Sequence, residues 1–360
     1  MNMFVKIEEN LKPTIPPAQE LYKKYKEKYS HLSGKRKPLV EKIFQKILVI
    51  YPSSLRVTNY GRERPLSAFN PGATLQGRKL YVFPRLVFDY YWYVSSIGVF
   101  TLDIEDTLKG YLPRDIPTKI ILYPSRKEDL RGCEDPRIQE LGSRLYILYT
   151  AVEPGLQGVN ARQALAVLED GNAKKLGSFK LNYKGDLYNT FWKDSAIISS
   201  PGGEPVLLLR PTIPLAEDAN LEIGWSAPFN PDNLTVDAEL MEPSLVDEAF
   251  EIKVGWSTNS LKISSNEFLV GWHGVGKDLI YRNGLALLDN QGELLAISNY
   301  LLEPSATLEE FYGDRPGVVF GCGLIRYGDI VLWIGGLSDY AIGIWSARID
   351  EIMEKLKYIS

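Results

Sequence analysis

The segment Gly132-Cys-Glu-Asp-Pro-Arg137 sets two carboxylates and a guanidinium around a proline, and the strand-like run Arg144-Leu-Tyr-Ile-Leu-Tyr-Thr150 follows it. Alternating aromatic and aliphatic residues are typical of a β-strand, so the polar segment should lie at the end of a rigid element. The proline favours an extended conformation for Asp135, which would hold its carboxylate in one direction. The segment therefore predicts a functional site, and a structural Asp135–Arg137 salt bridge at a turn is the alternative.

The same combination of a polar turn, a Gly-x-(Lys/Arg/Glu) step and an apolar run recurs along the chain. Five copies are visible, the last two looser than the others, in residues 70–83, 134–149, 193–210, 255–272 and 317–334. Short strand-like runs separated by turn residues are typical of all-β folds, and a repeat every 55 to 65 residues or so, about the size of an enlarged blade, favours a propeller over a sandwich. We therefore predict an all-β, five-bladed β-propeller whose polar turns gather near the central axis.

The two ends of the chain differ from this repeating body. Residues 20–29 are dense in Lys, Glu and Tyr, and residues 39–50 carry apolar side chains at helical spacing, which predicts two N-terminal helices. An apolar stripe in residues 348–357 predicts a C-terminal helix that docks on the body. The predicted organisation is a helical arm at 1–45, a propeller at 46–345 and a C-terminal helix at 346–360.

Composition and charge exclude several classes of function. The 360 residues are 45% apolar and 24% charged, which is ordinary for a globular protein, and the net charge of −4 gives no basic surface for nucleic acid. The N-terminus is charged where a secretion signal needs an apolar run, and no stretch approaches the roughly 20 apolar residues of a membrane span. With two cysteines, Cys133 and Cys322, we expect a reducing, cytoplasmic setting.

Five polar clusters would meet at the axis of such a propeller. They are Asn70 with Arg85, Glu134 to Arg137, Lys193 and Asp194 with Arg210, Lys253 with His273 and Tyr281, and Asp339. Trp92, Trp256 and Trp272 lie near these clusters in the sequence. A pocket that combines charged groups with aromatic rings suits a sugar, whose hydroxyls bind polar side chains and whose ring faces stack on aromatic ones.

Seven short motifs occur in an order that resembles glycoside hydrolase family 130. They are Asn70-Pro-Gly-Ala73, Gly132-Cys-Glu-Asp-Pro-Arg-Ile138, Lys193-Asp-Ser-Ala196, Lys253-Val-Gly-Trp256, Trp272-His-Gly-Val275, Tyr281-Arg-Asn-Gly-Leu-Ala-Leu-Leu-Asp289 and Leu302-Glu-Pro304. That family comprises β-mannoside phosphorylases and β-mannosidases on a five-bladed β-propeller. The resemblance covers residues 56–345 and implies this fold. The arm lies outside it, but some members use N-terminal helices in oligomer contacts, so a homo-oligomer is an expectation here.

The resemblance also implies roles for the residues that match the motifs. Asp135 matches the general acid of the family, which in several members protonates the leaving oxygen through a sugar hydroxyl. The residues implied to contact the mannoside are Asn70, Arg85, Glu134 and Asp339. Asp194 and His273 are further candidates for this contact, and the alternative for His273 is a structural hydrogen-bonding role, which is the commoner one for a histidine between tryptophan and glycine at a strand end. Those implied to bind inorganic phosphate are Lys193, Arg210, Lys253 and Tyr281. Three cations and a phenol can neutralise a phosphate and hold it in line behind the anomeric carbon.

The basic residues distinguish between two reactions. An inverting phosphorylase needs one carboxylic acid and an anion site, whereas a hydrolase needs a second carboxylate to activate water. We therefore predict that a β-linked manno-oligosaccharide and phosphate give α-mannose 1-phosphate and a shortened acceptor. Phosphate is the co-substrate, and no metal or organic cofactor is implied, because two histidines are too few for a histidine-rich cluster. The alternatives are a hydrolase with Glu248 or Glu251 as base, and a non-catalytic sugar-binding propeller.

The sequence departs from the family pattern at several of these positions. Leu209 stands where many phosphorylases have a histidine, and Phe83-Pro-Arg85 replaces a strand that usually ends in Tyr-Arg. Ser338-Asp-Tyr340 replaces the common Ala-Asp-Thr. The preferred sugar linkage could therefore differ from that of the members that match the pattern well.

Overall fold

The computed structural model describes residues 17–155, 158–199, 203–216 and 219–359, which are mostly β-structure. The helices of this part of the chain are α1 (Ala18–Leu32), α2 (Ile104–Leu108), α3 (Leu308–Phe311) and α4 (Ile349–Lys355). Single 3₁₀ turns occur at Pro52–Ser54, Lys127–Asp129 and Ala238–Leu240. None of the helices in these ranges combines the length and the apolar character needed to cross a bilayer.

The strands follow one another closely along the chain. The first nine are β1 (Gln45–Ile50), β2 (Leu55–Val57), β3 (Ser67–Gln76), β4 (Lys79–Val87), β5 (Ser95–Asp103), β6 (Ile116–Leu122), β7 (Gly132–Leu141), β8 (Arg144–Gly155) and β9 (Gly158–Glu169). The next nine are β10 (Asn172–Ser178), β11 (Lys180–Tyr183), β12 (Asp186–Tyr188), β13 (Trp192–Ile198), β14 (Val206–Pro211), β15 (Ile213–Ala216), β16 (Ala219–Leu221), β17 (Gly224–Asn230) and β18 (Thr235–Asp237). The remainder are β19 (Glu242–Leu245), β20 (Glu251–Lys262), β21 (Glu267–Gly276), β22 (Tyr281–Asp289), β23 (Leu294–Ile297), β24 (Val319–Tyr327), β25 (Ile330–Leu337), β26 (Ala341–Arg348) and β27 (Lys357–Tyr358).

Most strands pair antiparallel with their neighbours in sequence. β3 to β6 pair in succession, as do β7 to β10, β20 to β23, and β24 to β26. A further group pairs in the order β13, β14, β17 and β19, and β17 also pairs with β18, which leads to β11 and β12. A short parallel contact between β5 and β7 joins the first two groups into one curled sheet. This architecture fits a β-propeller-like fold.

The strand β1 corrects one prediction from the sequence. Residues 39–50 were expected to be helical, which is wrong, because residues 45–50 form β1. β1 pairs antiparallel with β26, so a strand from the start of the chain completes the sheet formed by the last three long strands. The run Ile47-Leu-Val-Ile50 is rich in β-branched side chains, which fit a pleated, half-buried surface better than a helix.

Helices at the two ends of the chain lie against the sheets. α1 overlaps the helix expected at 20–29, contacts β15 and β19, and buries Leu21 and Leu32. α4 falls within the helix expected at 348–357, and its Ile352 belongs to the same core cluster as Trp345. After α4 the short strand β27 pairs with β23, which fastens the end of the chain to a neighbouring sheet.

Five strands lie together where the repeated polar segments fall. β3 contacts β7 and β24, and β20 contacts β7, β13 and β24. Each of the five has a register shift against the strand that follows it, at Phe69/Gly72, Glu134/Arg137, Lys193/Ala196, Trp256/Ser260 and Gly321/Gly323. A β-bulge bends a strand and re-aims its side chains. The repeat seen in the sequence is therefore a set of bulges on strands that pack against one another.

Candidate active site

Four of the predicted site residues have left-handed backbone conformations. The φ angles are 44° for Asn70, 48° for Asp135, 60° for Asp194 and 53° for Asp339. Asn and Asp enter this region more readily than other residues that carry a side chain. The expectation of an extended Asp135 is wrong, because the bulge in β7 imposes a left-handed conformation despite the proline that follows.

An acidic and polar cluster surrounds the carboxylate of Asp135. Asn70 Nδ2 donates to Asp135 Oδ1 at 3.0 Å, and Arg85 Nη1 lies 3.5 Å from the same oxygen. Arg85 Nη2 donates to Glu134 Oε1 at 2.6 Å. Ser95 Oγ accepts from Arg85 Nε at 2.9 Å and donates to Glu134 Oε1 at 3.1 Å. The structure thus brings Asn70, Arg85, Glu134 and Asp135 together, and it adds Ser95, which the sequence did not reveal.

Arg137 links this cluster to a second one. Its Nη1 donates to the backbone oxygen of Asp135 at 2.8 Å, and its Nε donates to the backbone oxygen of Ser257 at 2.7 Å. Its Nη2 lies 3.6 Å from Asp194 Oδ1, and only 1% of the residue is exposed. The alternative of an Asp135–Arg137 side-chain salt bridge is therefore wrong, since the Asp135 carboxylate faces Asn70 and Arg85 instead.

The second cluster is basic and centres on Arg210. Arg210 Nε and Nη2 both donate to Asp194 Oδ2, at 3.1 and 2.8 Å, and Nη1 donates to Glu222 Oε2 at 2.9 Å. Lys193 pairs in register with Arg210 across β13 and β14, and its side chain is exposed. Lys253 Nζ lies 5.7 Å from the centre of the Tyr281 ring. The four residues expected to bind phosphate therefore belong to one region of the molecule, together with two carboxylates.

The electrostatics of the two clusters differ. Burial raises the pKa of Glu134 against the opposing effect of Arg85, and burial with repulsion from Asp135 raises the pKa of Asp339 to about 6. In the basic cluster, burial and repulsion from Arg210 lower the pKa of Lys253 to about 7. Burial opposes the charge of Asp194, but Arg210 and the other nearby cations outweigh it and hold the pKa of this carboxyl far below its usual range.

His273, expected to contact substrate, is fully buried. Its Nδ1 lies 2.9 Å from Ser257 Oγ, and its Nε2 lies 3.8 Å from Asp194 Oδ2. Its ring stacks on Tyr281 with 5.6 Å between the centroids. Burial lowers the pKa of His273 well below its usual value, so the ring is neutral at pH 7. In this structure the residue supports Tyr281 and Asp194 and has no surface open to solvent.

The three tryptophans named from the sequence fall in different places. Trp256 and Trp272 are fully buried in the hydrophobic core, so they offer no ring face to a ligand. Trp92 is 59% exposed in the loop between β4 and β5, beside Tyr91, which is 85% exposed. The ring of Tyr93 in the same loop lies 5.5 Å from the Arg85 guanidinium. Of the three tryptophans, Trp92 alone lies open beside the acidic cluster.

Glu248 and Glu251, the candidate bases of a hydrolase, are held by the N-terminal segment. Glu248 accepts hydrogen bonds from the backbone N–H groups of Gly34, Lys35 and Arg36 at 2.7 to 3.0 Å. Glu251 accepts from Arg36 Nη2 at 2.5 Å and from Tyr300 Oη at 2.6 Å. Both carboxylates are buried and serve to fasten the segment after α1 to the sheets.

Asp339 is the last of the predicted site residues. Asp339 follows β25, is 8% exposed, and its Oδ2 lies 3.7 Å from Arg315 Nε. The strand β25 brings Asp339 beside the acidic cluster, because Gly336 in this strand lies so close to Asn70 that a Cβ atom would overlap it, and Arg85 and Asp135 both act on the pKa of Asp339. Across the described ranges, His, Cys, Asp and Glu side chains form no group of three or more that could hold a metal ion.

Comparison of this sequence with known proteins identifies one family. A family model for glycoside hydrolase family 130, described as beta-1,4-mannooligosaccharide phosphorylase, matches residues 34–358. A β-1,2-mannobiose phosphorylase of Listeria innocua is 27% identical over 249 residues, which is 66% of this chain and 64% of that protein, just under two thirds of its length. A β-1,2-mannobiose phosphorylase of Thermoanaerobacter is 26% identical over 312 residues, 81% of this chain and 92% of that protein.

Solved structures resemble this one in fold. The Listeria innocua β-1,2-mannobiose phosphorylase in complex with β-1,2-mannobiose has a TM-score of 0.67 at 20% identity, covering 85% of this chain and 96% of that one. A mannose phosphorylase of Leishmania mexicana in complex with a phosphate ion has a TM-score of 0.59 at 12% identity, covering 95% and 97%. At these identities the likeness shows a shared fold.

Proposed function

The chain belongs to glycoside hydrolase family 130, and on that premise we propose that it is an inverting β-mannoside phosphorylase. The family match confirms the resemblance first seen in the motifs. In the proposed reaction a phosphate oxygen attacks the anomeric carbon of a terminal β-mannoside. The glycosidic bond breaks, the leaving oxygen takes a proton that originates from Asp135, and the products are α-mannose 1-phosphate and a shortened acceptor.

The observation that carries this proposal is the link between the acidic and basic clusters through Arg137. Its guanidinium bonds the backbone of Asp135 on one side and lies 3.6 Å from Asp194, the partner of Arg210, on the other. A single rigid group thus ties the proposed acid to the proposed anion site. Phosphorolysis needs this pair of sites, since phosphate is already a competent nucleophile.

Each cluster has a distinct task in the proposed mechanism. Asn70 and Arg85 aim Asp135 through its Oδ1 atom. The pKa of Asp339 is raised to about 6, so both its protonated and its ionised forms occur near neutral pH. The protonated form can donate a hydrogen bond to a sugar hydroxyl, and the ionised form can accept one. Arg210, Lys193 and Lys253 supply positive charge for phosphate, and Tyr281 supplies a hydroxyl. Glu134 holds Arg85 in place.

We also infer that the fold has five blades. The four meanders β3 to β6, β7 to β10, β20 to β23 and β24 to β26 with β1, and the group β13, β14, β17 and β19, would be the five units. The five bulged strands β3, β7, β13, β20 and β24 would then line the central axis. Pairing of β1 with β26 would close the ring, a device that leaves no long edge strand free.

Two further features bear on the substrate. The curated relatives are named for β-1,2-linked mannosides, so we propose this linkage first for the present chain. Trp92 and Tyr91 would offer ring faces to the sugar units of the acceptor. A hydrolase with Glu248 or Glu251 as base is less well supported, because both carboxylates are engaged by the N-terminal segment.

The experiment is incubation with β-1,2-, β-1,3- and β-1,4-linked manno-oligosaccharides, with and without inorganic phosphate. We expect mannose 1-phosphate that appears only with phosphate, in the α configuration when followed by NMR. Free mannose formed at the same rate without phosphate would establish hydrolysis instead. Absence of any product with all three linkages, together with retained binding of the sugars, would indicate a sugar-binding propeller.

A further inference from the structure

The donors of Arg210, the central residue of the basic cluster, are divided between two carboxylates. A guanidinium has five N–H donors in a fixed, planar fork. In this structure the edge formed by Nε and Nη2 is taken by Asp194 Oδ2, and Nη1 donates to Glu222 Oε2 at 2.9 Å. Arg210 is only 3% exposed. An incoming anion therefore meets an arginine that already has an anionic partner on each side.

The two carboxylates are not equivalent. The Asp194 side chain is 5% exposed and is fixed by a second arginine, Arg137, at 3.6 Å. The Glu222 side chain is 40% exposed, and its other oxygen accepts from Thr212 Oγ1 at 2.6 Å. Asp194 is thus a permanent partner of Arg210, whereas Glu222 can turn toward solvent without leaving a buried charge.

The position of Glu222 in the chain favours such movement. Thr212 and Glu222 stand at the two ends of the hairpin formed by β15 and β16, which pairs with no other sheet among the described strands. Ile213 and Leu221 anchor this hairpin in the core, whereas Glu222 follows β16 and is exposed, so its side chain can change rotamer without disturbing the packed residues. Arg210 and the Thr212 hydroxyl keep the pKa of Glu222 lowered although burial opposes this, so the group is an anion at neutral pH.

We propose that Glu222 is the resident counter-anion of Arg210, and that inorganic phosphate binds this site by displacing the Glu222 carboxylate from Nη1. The inference rests on the proposed function, because it deepens the assignment of the basic cluster as the phosphate site. Its consequence is that Glu222 lowers the affinity for phosphate. Because Glu222 and phosphate compete for the same N–H donor, phosphate binds more weakly than it would to the cations alone.

The test is calorimetric titration of the full chain with inorganic phosphate alone, in the absence of sugar. In Glu222→Gln the competing charge is gone while size and the contact with Thr212 are kept, so we expect phosphate to bind about tenfold tighter than to the unaltered protein. Glu222→Ala should show the same direction. The matched control is Glu153→Gln, which removes an arginine-paired, partly buried carboxylate elsewhere, at 2.8 Å from Arg162, and should leave the phosphate affinity unchanged.

Three other outcomes would overturn the inference, and a fourth would overturn only the proposed reaction. Equal or weaker phosphate binding in both Glu222 variants would mean that the carboxylate holds Arg210 in position. No phosphate binding in any of the variants would mean that displacement does not occur. Loss of mannose release in Glu222→Gln with unchanged phosphate binding would identify Glu222 as a base for water. If the variants bind phosphate more tightly but the unaltered protein forms no mannose 1-phosphate, the inference stands and the proposed reaction fails.

Discussion

Asn70 Nδ2 donates a hydrogen bond of 3.0 Å to Asp135 Oδ1, and both residues occupy left-handed bulges on the contacting strands β3 and β7. The bulges fit into one another closely. A Cβ atom on Gly72 would lie 2.4 Å from the backbone oxygen of Pro136, so the glycine is what allows the two strands to approach. Backbone packing therefore sets the position of Asp135, and the hydrogen bond from Asn70 orients its carboxylate.

Replacement of Asp135 by asparagine should remove catalysis while keeping the fold. Asn tolerates a φ of 48° as Asp does, and it cannot supply a proton, so we expect turnover to fall by about a hundred- to ten-thousand-fold. The measurement is initial rate of mannose 1-phosphate formation, with sugar binding followed separately. Asp170→Asn is the matched control, since Asp170 has a φ of 50° in an exposed turn. This substitution should leave the rate unchanged. Full activity in Asp135→Asn would exclude the residue as the acid.

Gly72→Ala should lower activity by displacing Asp135. The added Cβ would overlap backbone atoms of Pro136, so β3 or β7 must move to make room for it. We expect kcat to fall by about tenfold to a hundredfold, because small displacements of a catalytic group have large effects on rate. The control is Gly61→Ala, where a Cβ would meet no atom within 4 Å. Equal kcat values for the two variants would contradict the interlocking of the bulges.

Trp92→Ala should weaken binding of the sugar without changing the affinity for phosphate. The loop is held by Asp89, whose carboxylate accepts from the backbone N–H groups of Tyr91 and Trp92, so loss of the ring should not unfold it. A stacking contact of this kind corresponds to a rise of about three- to tenfold in KM for the oligosaccharide, with kcat little changed. Tyr111→Ala, at another aromatic that is 66% exposed, is the control. An unchanged KM would remove Trp92 from the site.

The proximity of the polar segments was predictable from the sequence because each of them precedes a strand and recurs. Which of these segments contact one another could not be predicted. Asn70 and Asp135 are 65 residues apart and meet only because β3 packs on β7. Ser95 and Glu222 carry no pattern in a single sequence, since side-chain hydrogen bonds connect them to the site, Ser95 through Arg85 and Glu134 and Glu222 through Arg210. Positions of this type become visible only when the backbone is known.

Local rules failed where tertiary contacts outweighed them. Residues 39–50 carry apolar side chains at helical spacing, but residues 45–50 pair with β26, and Asp135 is left-handed although a proline follows it. Trp256 and Trp272 lie near the motifs in sequence, yet side chains alternate between the two faces of a strand. Both rings point into the core while their neighbours reach the site.

Arg36→Met should destabilise the whole protein although Arg36 lies outside the site. Its Nη2 contacts Glu251 at 2.5 Å, and its guanidinium stacks over Trp272 at 4.6 Å. Without the arginine, Glu251 is left as an unpaired buried charge, which typically costs about 3–5 kcal/mol of the free energy of unfolding. Denaturant unfolding measures this. Lys23→Met removes an exposed partner of Glu27 and should change stability by about 0.5 kcal/mol at most. Similar effects for the two variants would contradict a structural role for the N-terminal segment.

The charge of Lys253 should make anion binding depend on pH. Because burial and Arg210 lower the pKa of Lys253 to about 7, the ammonium form is complete below this value and is lost as the pH rises through it. Sulfate is the suitable probe, since its own charge is constant over this range, unlike that of phosphate. We expect its affinity to fall between about pH 6 and about pH 8.5, by up to tenfold per pH unit above the pKa.

Two substitutions separate the charge of Lys253 from its position. Lys253→Arg keeps a cation at every pH in this range, so its affinity for sulfate should stay nearly constant. Lys253→Met has no charge to lose, so its affinity should be weak and equally flat. A pH dependence that persists in both variants would have to come from another group, and a flat profile in the unaltered protein would mean that Lys253 does not contact the anion.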